Sequence, residues 1–175
     1  MFMMPLAIAN ASSTLVAQRI GAGDPQDARR LGWHGMVIGV GLAALVGSAV
    51  YAGREGVVRA YTHDPVVIAA ALPLMSWLAL FHTCDAAQTV AAFVLRAYRI
   101  ATVPMLIYAG SLWGIGLAGG YVLAFDLLGV TPQGLRGARG FWAASTAGLV
   151  VAGAALSLFL AWVLTHRDQA APAGG

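Results

Sequence analysis

The chain lacks lysine, has one cysteine and carries few charges of either sign. All ten basic residues are arginine, and Glu55 is the only glutamate among the seven acids. A single cysteine, Cys84, excludes an internal disulfide and a thiolate metal cluster. Charged residues make up 10% of the chain, whereas soluble domains carry about 25%. With 59% hydrophobic residues and a mean hydropathy of +0.77, the composition excludes an ordinary soluble domain and leaves an integral membrane protein. The net charge of +3 is no nucleic-acid footprint, because the arginines stand singly or in pairs beside apolar runs, where they mark membrane edges. The N-terminus MFMMPLAIANASS has no basic flank and so no signal-peptide pattern. Abundant Ala and Gly without lysine fits a GC-rich bacterial gene, and hence an inner-membrane location. There is no H-E-x-x-H, no Cys/His metal spacing and no phosphate loop, so neither an enzyme nor a resident cofactor is expected.

What is present is a series of apolar runs. They cover residues 2–18, 31–52, 66–95, 101–125 and 141–165. A membrane-spanning helix needs about 20 residues, with about 17 as the short limit, so each run is a spanning candidate. The sequence therefore predicts an all-α membrane protein, a polytopic bundle of about five helices over residues 1–166. A small-residue tail, 167–175, is expected to be disordered and cytoplasmic. Asp24-Pro25 and Asp64-Pro65 each place a capping acid before a first-turn proline, and Ile20-Gly21 offers a glycine stop. Pro73 is the expected site of a kink in the third run. Arginine counting sets Arg19, Arg29, Arg30, Arg96, Arg99 and Arg167 on the cytoplasmic side, against Arg54, Arg59, Arg136 and Arg139 outside. This leaves Met1 entering a helix directly on the outer side, and further N-terminal sequence is expected.

Asp85 is the only charged residue between Val66 and Leu95. An ionisable group inside a span is costly, and its default reading is functional. Arg96 lies eleven residues on, about 16 Å at a rise of about 1.5 Å per residue, which puts Asp85 near the midplane of a core about 30 Å thick. His82, Asp85, Gln88, Thr89 and Arg96 share about a third of the helix circumference, a polar stripe that needs a cavity or a polar neighbour. A carboxylate poised between apolar surroundings and polar neighbours can exchange a proton or a sodium ion. Gln88 and Thr89 could add oxygen ligands for a hard cation such as Na⁺, or could hydrogen-bond between helices. His82 could pair with Asp85 or simply pack.

A second polar stripe, Asn10, Thr14 and Gln18, suits a cavity wall or polar helix packing equally. Trp113 could line a pocket for flat or cationic ligands, or pack in a core, while Trp142 and Trp162 are expected interfacial anchors. Three Gly-x-x-x-Gly spacings begin at Gly35, Gly110 and Gly116 and would let helices approach closely. Gly21-Ala22-Gly23-Asp24 matches a signature of intramembrane aspartyl proteases, but Asp24 precedes Pro25 and opens a helix, so a turn and cap is the reading adopted.

Two stretches carry a family resemblance. In Leu80–Tyr121 an acid is followed by glutamine three on, then Leu-Arg, a charged turn and a proline: Asp85, Gln88, Leu95, Arg96 and Pro104. In Met4–Arg30 the matching residues are Pro5, Gln18, Gly21, Gly23, Asp24, Ala28 and Arg29. Both resemble the C-terminal half of the multidrug and toxic compound extrusion (MATE) family, in its NorM-like branch. The chain departs from that pattern at Ala97, at Arg99-Ile100-Ala101 and at Ala118. The resemblance implies helices eight to twelve of twelve, part of one of two lobes that face a central cavity. It further implies Asp85 as the coupling residue for Na⁺ or H⁺, and as the metal ligand where the ion is Na⁺, with organic cations or drugs as substrates. The expected partner is a missing N-terminal lobe or a second membrane chain, without which the chain would not transport. Two rivals remain at this point: a lipid-linked oligosaccharide flippase of the same superfamily, disfavoured by spans without basic residues, and a non-transporting membrane scaffold.

Overall fold

Helix caps and glycines set the architecture. The computed structural model describes residues 3–166, so the expected tail at 167–175 lies outside the described residues. Helix α1 covers Met3–Gly21, α2 Pro25–Ala52, α3 Arg54–Tyr61 and α4 Pro65–Ala97. Helix α5, Thr102–Ala109, passes through a π-helical segment, Gly110–Ala118, into α6, Gly119–Ala124. A short 3₁₀ turn, Gln133–Leu135, leads to α7, Ala138–His166. Both Asp-Pro devices work as expected. Asp24 Oδ1 accepts from the Asp27 amide at 3.0 Å, and Asp64 Oδ1 accepts from the Val66 amide at 2.8 Å. The left-handed residue after α1 is Gly23, with φ 76°, rather than Gly21. Helix α4 stays helical through Pro73.

Among the described residues, four stretches are long and apolar enough to cross a membrane: Pro25–Ala52, Trp77–Ala97, Thr102–Ala124 and Ala138–His166. The expected first run also forms its helix, α1, but the polar side chains at 10, 12, 13, 14 and 18 keep it from the same standing.

Close glycine contacts reveal the directions of the helices. A Cβ on Gly32 would meet Val94 at 3.3 Å, one on Gly39 would meet Val90 at 2.8 Å, and one on Gly47 would meet the Ala79 carbonyl at 3.2 Å. Rising numbers on α2 meet falling numbers on α4, so the two are antiparallel. Gly35 abuts Ser12 and Gly39 abuts Ile8, which makes α1 antiparallel to α2 as well. Gly153 of α7 lies against the Cys84 carbonyl, and Gly32 touches both Val94 and Leu164, so α4 and α7 are parallel. Gly148 against Ser111 and Gly120 against Phe141 set α7 antiparallel to residues 102–124. The result is the alternation a multi-pass bundle requires. It groups Arg19, Arg29, Arg30, Arg96 and Arg99 at one end and Arg54, Arg59, Arg136 and Arg139 at the other. The buried core includes Val16, Val90, Val94, Leu95, Leu156 and Leu160, drawn from α1, α4 and α7. Of the Gly-x-x-x-Gly spacings, Gly35/Gly39 and Gly116/Gly120 serve close packing, whereas Gly110 and Gly114 face open space.

Two elements were not expected from sequence. The π-helical segment spans nine residues, three of them glycine (Gly110, Gly114 and Gly116), which leaves room for the wider turn. Helix α3 is short and amphipathic, with Val58 buried and the Arg54 guanidinium 4.6 Å over the Tyr51 ring. Between α6 and α7 the chain is clasped by Asp126, whose φ is 50°. Its Oδ1 accepts from the Thr131 amide at 2.8 Å and its Oδ2 pairs with Arg136 Nη2 at 2.6 Å. Arg136 Nε also donates to the Thr131 carbonyl at 3.1 Å. The Thr131 backbone donor above all, with the Thr131 side chain and Arg136, holds the Asp126 carboxyl below the usual carboxylate range.

Candidate functional site

The middle of α4 is the only place among the described residues where an acid sits half-buried away from the ends of a span. One face of α4 is closed by the core: Ala86, Val90, Ala91, Val94 and Leu95 are buried. The neighbouring face, at Asp85, Gln88, Thr89, Ala92, Phe93 and Arg96, opens on a cavity of about 350 Å³. The opposite wall comes from Ala101, Pro104, Met105 and Tyr108 at the start of α5, with Leu6 of α1 and Leu156 of α7. Pro104 at the third position of α5 fits because the first-turn amides of a helix have no intrahelical acceptor. It brings Tyr108, one turn on, to the same wall.

Within the cavity one carboxamide ties three side chains together. Gln88 Nε2 donates to Asp85 Oδ1 at 3.1 Å and to Thr89 Oγ1 at 3.0 Å. A charged carboxylate in such surroundings needs donors or a cation. The amide nitrogen supplies one donor and leaves Asp85 facing the cavity. The chemistry available is proton or cation exchange at a carboxylate, with neutral oxygens alongside. Among the described residues no three His, Cys, Asp or Glu side chains converge to hold a metal ion. A cation here would therefore meet one carboxylate, the Thr89 hydroxyl and, after rotation of the amide, the Gln88 carbonyl oxygen.

The remaining candidates are placed elsewhere. His82 is buried on α4, but its Nε2 has no hydrogen-bond partner and it lies outside the cavity lining. His82 makes no hydrogen bond to Asp85, whose bond goes to Gln88, yet the two lie close enough to interact electrostatically. Asn10, Thr14 and Gln18 are exposed. Asn10 Nδ2 donates to the Leu6 carbonyl at 3.0 Å and Thr14 Oγ1 to the Asn10 carbonyl at 2.9 Å, so both are satisfied within α1. They do not wall this cavity; the α1 face that packs inward carries Ala9, Ser12 and Val16 instead. Trp113 is 69% exposed on the π-helical segment and neither lines the cavity nor packs in the core. Trp142 packs edge-on to Phe81, and Trp162 stacks on Phe159 and His166 near the end of α7.

Tyr108 is a cavity residue that sequence reasoning did not assign, and Arg96, on the polar stripe by its spacing, joins it in the lining. Arg96 was taken as a membrane-edge marker, yet its guanidinium lies 4.7 Å over the Phe93 ring and reaches the lining. The sequence reading that the spans hold no basic residue is corrected: Arg96 lies within the span Trp77–Ala97. For Tyr108 the signal was present in the helical spacing 101, 104, 105, 108.

The chain is similar to known proteins over most of its length. The MatE family model matches residues 1–122. The "Probable multidrug resistance protein NorM" of Aromatoleum aromaticum is 42% identical over 93% of the chain and 34% of its own length. The multidrug resistance protein PmpM of Pseudomonas aeruginosa is 38% identical over 91% of the chain and 33% of its own length. The chain thus spans about a third of the length of these curated relatives. The crystal structure of the eukaryotic MATE transporter AtDTX14 matches 96% of the chain and 36% of its own chain, with a TM-score of 0.81 and 24% identity, a likeness of fold.

Proposed function

The chain belongs to the MatE family, and from that membership we propose that this multi-pass membrane protein is the C-terminal portion of a multidrug efflux transporter of the bacterial inner membrane. It exchanges an inward-moving cation, Na⁺ or H⁺, for organic cations or drugs, with Asp85 as the coupling residue. The observation that carries this reading is the Asp85 carboxylate opening on a cavity at mid-span with Gln88 and Thr89 beside it. Binding a cation at Asp85 would favour one conformation of the lobe, and drug release the other. Such a ligand shifts the balance only by its differential affinity for the two states. Alternating access needs a second bundle to rock against, which a separate lobe or chain would supply. The arginine-rich end bearing Arg19, Arg29, Arg30, Arg96 and Arg99 faces the cytoplasm in this reading.

A chimera tests it. The aligned segment of the Aromatoleum relative is replaced by this chain, and gradient-driven ethidium efflux is measured in membrane vesicles with a proton or a sodium gradient. Efflux under one of the two gradients, lost in Asp85→Asn with the protein still in the membrane, is the expected outcome. Efflux by the Asp85→Asn chimera at the parent rate and with the parent ion dependence would remove Asp85 from the mechanism.

A further inference from the structure

The first three turns of α2 carry a groove of about 340 Å³ lined by Gln26, Arg29, Arg30, Trp33 and His34. The spacing places these side chains on one helical face. That face is turned away from the bundle, because the residues of α2 buried in the same stretch are Ala28, Gly32, Gly35 and Met36. None of the residues lining the groove is acidic. Asp27, the nearest acid in sequence, is engaged by Arg19 Nε at 2.8 Å, and Asp24 Oδ1 caps the helix through the Asp27 amide. Beyond the groove the same side of α2 continues as exposed apolar surface: Val37 is 69% exposed, Ile38 52% and Leu45 66%. Arg30 to Leu45 is about 22 Å of helix at about 1.5 Å per residue, longer than the roughly 15 Å that one leaflet contributes to the hydrocarbon core.

We propose that this groove binds the phosphate headgroup of an anionic phospholipid, with its acyl chains lying along Val37, Ile38 and Leu45. Guanidinium groups suit a phosphodiester because their donors match two of its oxygens at once. Trp33 sits where an indole is at home, one edge toward the headgroups and the ring toward the chains. Gln26 and His34 add polar atoms for the ester and glycerol oxygens. A free phosphate would use the basic rim alone. The apolar continuation below it is what selects a lipid. The inference does not depend on the transport reading, since it concerns the outer face of α2 and not the Asp85 cavity.

Native mass spectrometry of the purified full chain tests it, with phosphatidylglycerol and phosphatidylcholine of identical acyl chains as probes. A basic side chain near an anionic headgroup strengthens binding roughly fivefold. Phosphatidylglycerol should therefore be retained at least about fivefold more strongly than phosphatidylcholine. Arg30→Gln with His34→Gln should abolish that preference, Arg54→Gln with Arg59→Gln at the other end should leave it intact, and excess inorganic phosphate should not displace the lipid. Should the double variant lose its helical circular dichroism, Arg30→Glu alone, at an exposed position, decides the matter by the same loss of preference. Equal retention of the two lipids, a preference unchanged by these groove variants, or displacement by inorganic phosphate would overturn the proposal.

Discussion

Gln88 holds Asp85 from one turn along α4: its Nε2 donates to Asp85 Oδ1 at 3.1 Å, and the same nitrogen reaches Thr89 Oγ1 at 3.0 Å. Gln88 and Thr89 are buried while Asp85 is half-buried, so the amide is the inner anchor of the carboxylate and the cavity is its outer face. Replacing Gln88 with Leu keeps the volume close and removes the donor. A polar group left without its partner away from water costs about 1–3 kcal/mol. The unfolding free energy of Gln88→Leu in detergent should fall by that much, and by clearly less when Asp85→Asn is already present. Equal losses in the two backgrounds would show that the bond does not couple the two side chains.

The contact between α7 and the π-helical segment tolerates no side chain at Gly148. A Cβ there would lie 2.6 Å from the Ser111 carbonyl oxygen and 2.9 Å from the Gly116 nitrogen, both backbone atoms. Gly148→Ala should destabilise by about 1–3 kcal/mol, the usual cost of overpacking. Gly114→Ala, at a position with nothing within 4 Å, should be neutral or slightly stabilising. Thermal unfolding of the two variants side by side checks the contrast, and a Gly148→Ala protein as stable as the parent contradicts the packing.

The Asp126 clasp gives a pH dependence of known sign. Its carboxyl is held below the usual range, so its contribution is fully present above the unfolded-state value of about 4 and disappears as pH falls through the lower folded value. Hydrogen exchange of the Thr131 amide, which Asp126 Oδ1 accepts, should be protected at neutral pH and down to about 4, and should lose protection only below that. Asp126→Asn should remove this acid transition. Loss of protection between neutrality and the ordinary carboxylate range would contradict the clasp.

Helix direction predicts accessibility. The α1–α2 turn and the 3₁₀ turn at Gln133–Leu135 lie at opposite ends of the bundle. In a Cys84→Ala background, Ala22→Cys and Gly134→Cys should label with a membrane-impermeant thiol reagent from opposite sides. Labelling of both from one side would refute the alternation.

The all-α bundle was legible because apolar runs of spanning length, Asp-Pro caps and paired arginines each say where a helix begins or ends. Asp85 was legible because one acid in about thirty apolar residues has no other ready explanation. What the sequence could not show is which way a polar stripe turns. Asn10, Thr14 and Gln18 form as regular a stripe as Asp85 and Gln88, yet Asn10 and Thr14 bond within their own helix while the smaller Ala9, Ser12 and Val16 pack inward. That choice is made by the neighbours: Gly35 and Gly39 of α2 bring the two helices close at Ser12 and Ile8. The π-helical segment was hidden for a similar reason. Its glycines read as contact motifs, and only Gly116 is one, against Ser145. Arg96 was read as an edge marker from its position, and a side chain long enough to fold back over Phe93 escapes that rule.

The central claim is that Asp85 carries the coupling cation. Infrared difference spectra of the purified full chain, recorded on changing pH or sodium concentration, test it without a partner lobe. The account predicts a carboxyl band that responds to protons or to sodium and is absent from Asp85→Asn, while Glu55→Gln leaves it in place. A spectrum in which every responding carboxyl band survives Asp85→Asn would contradict the account.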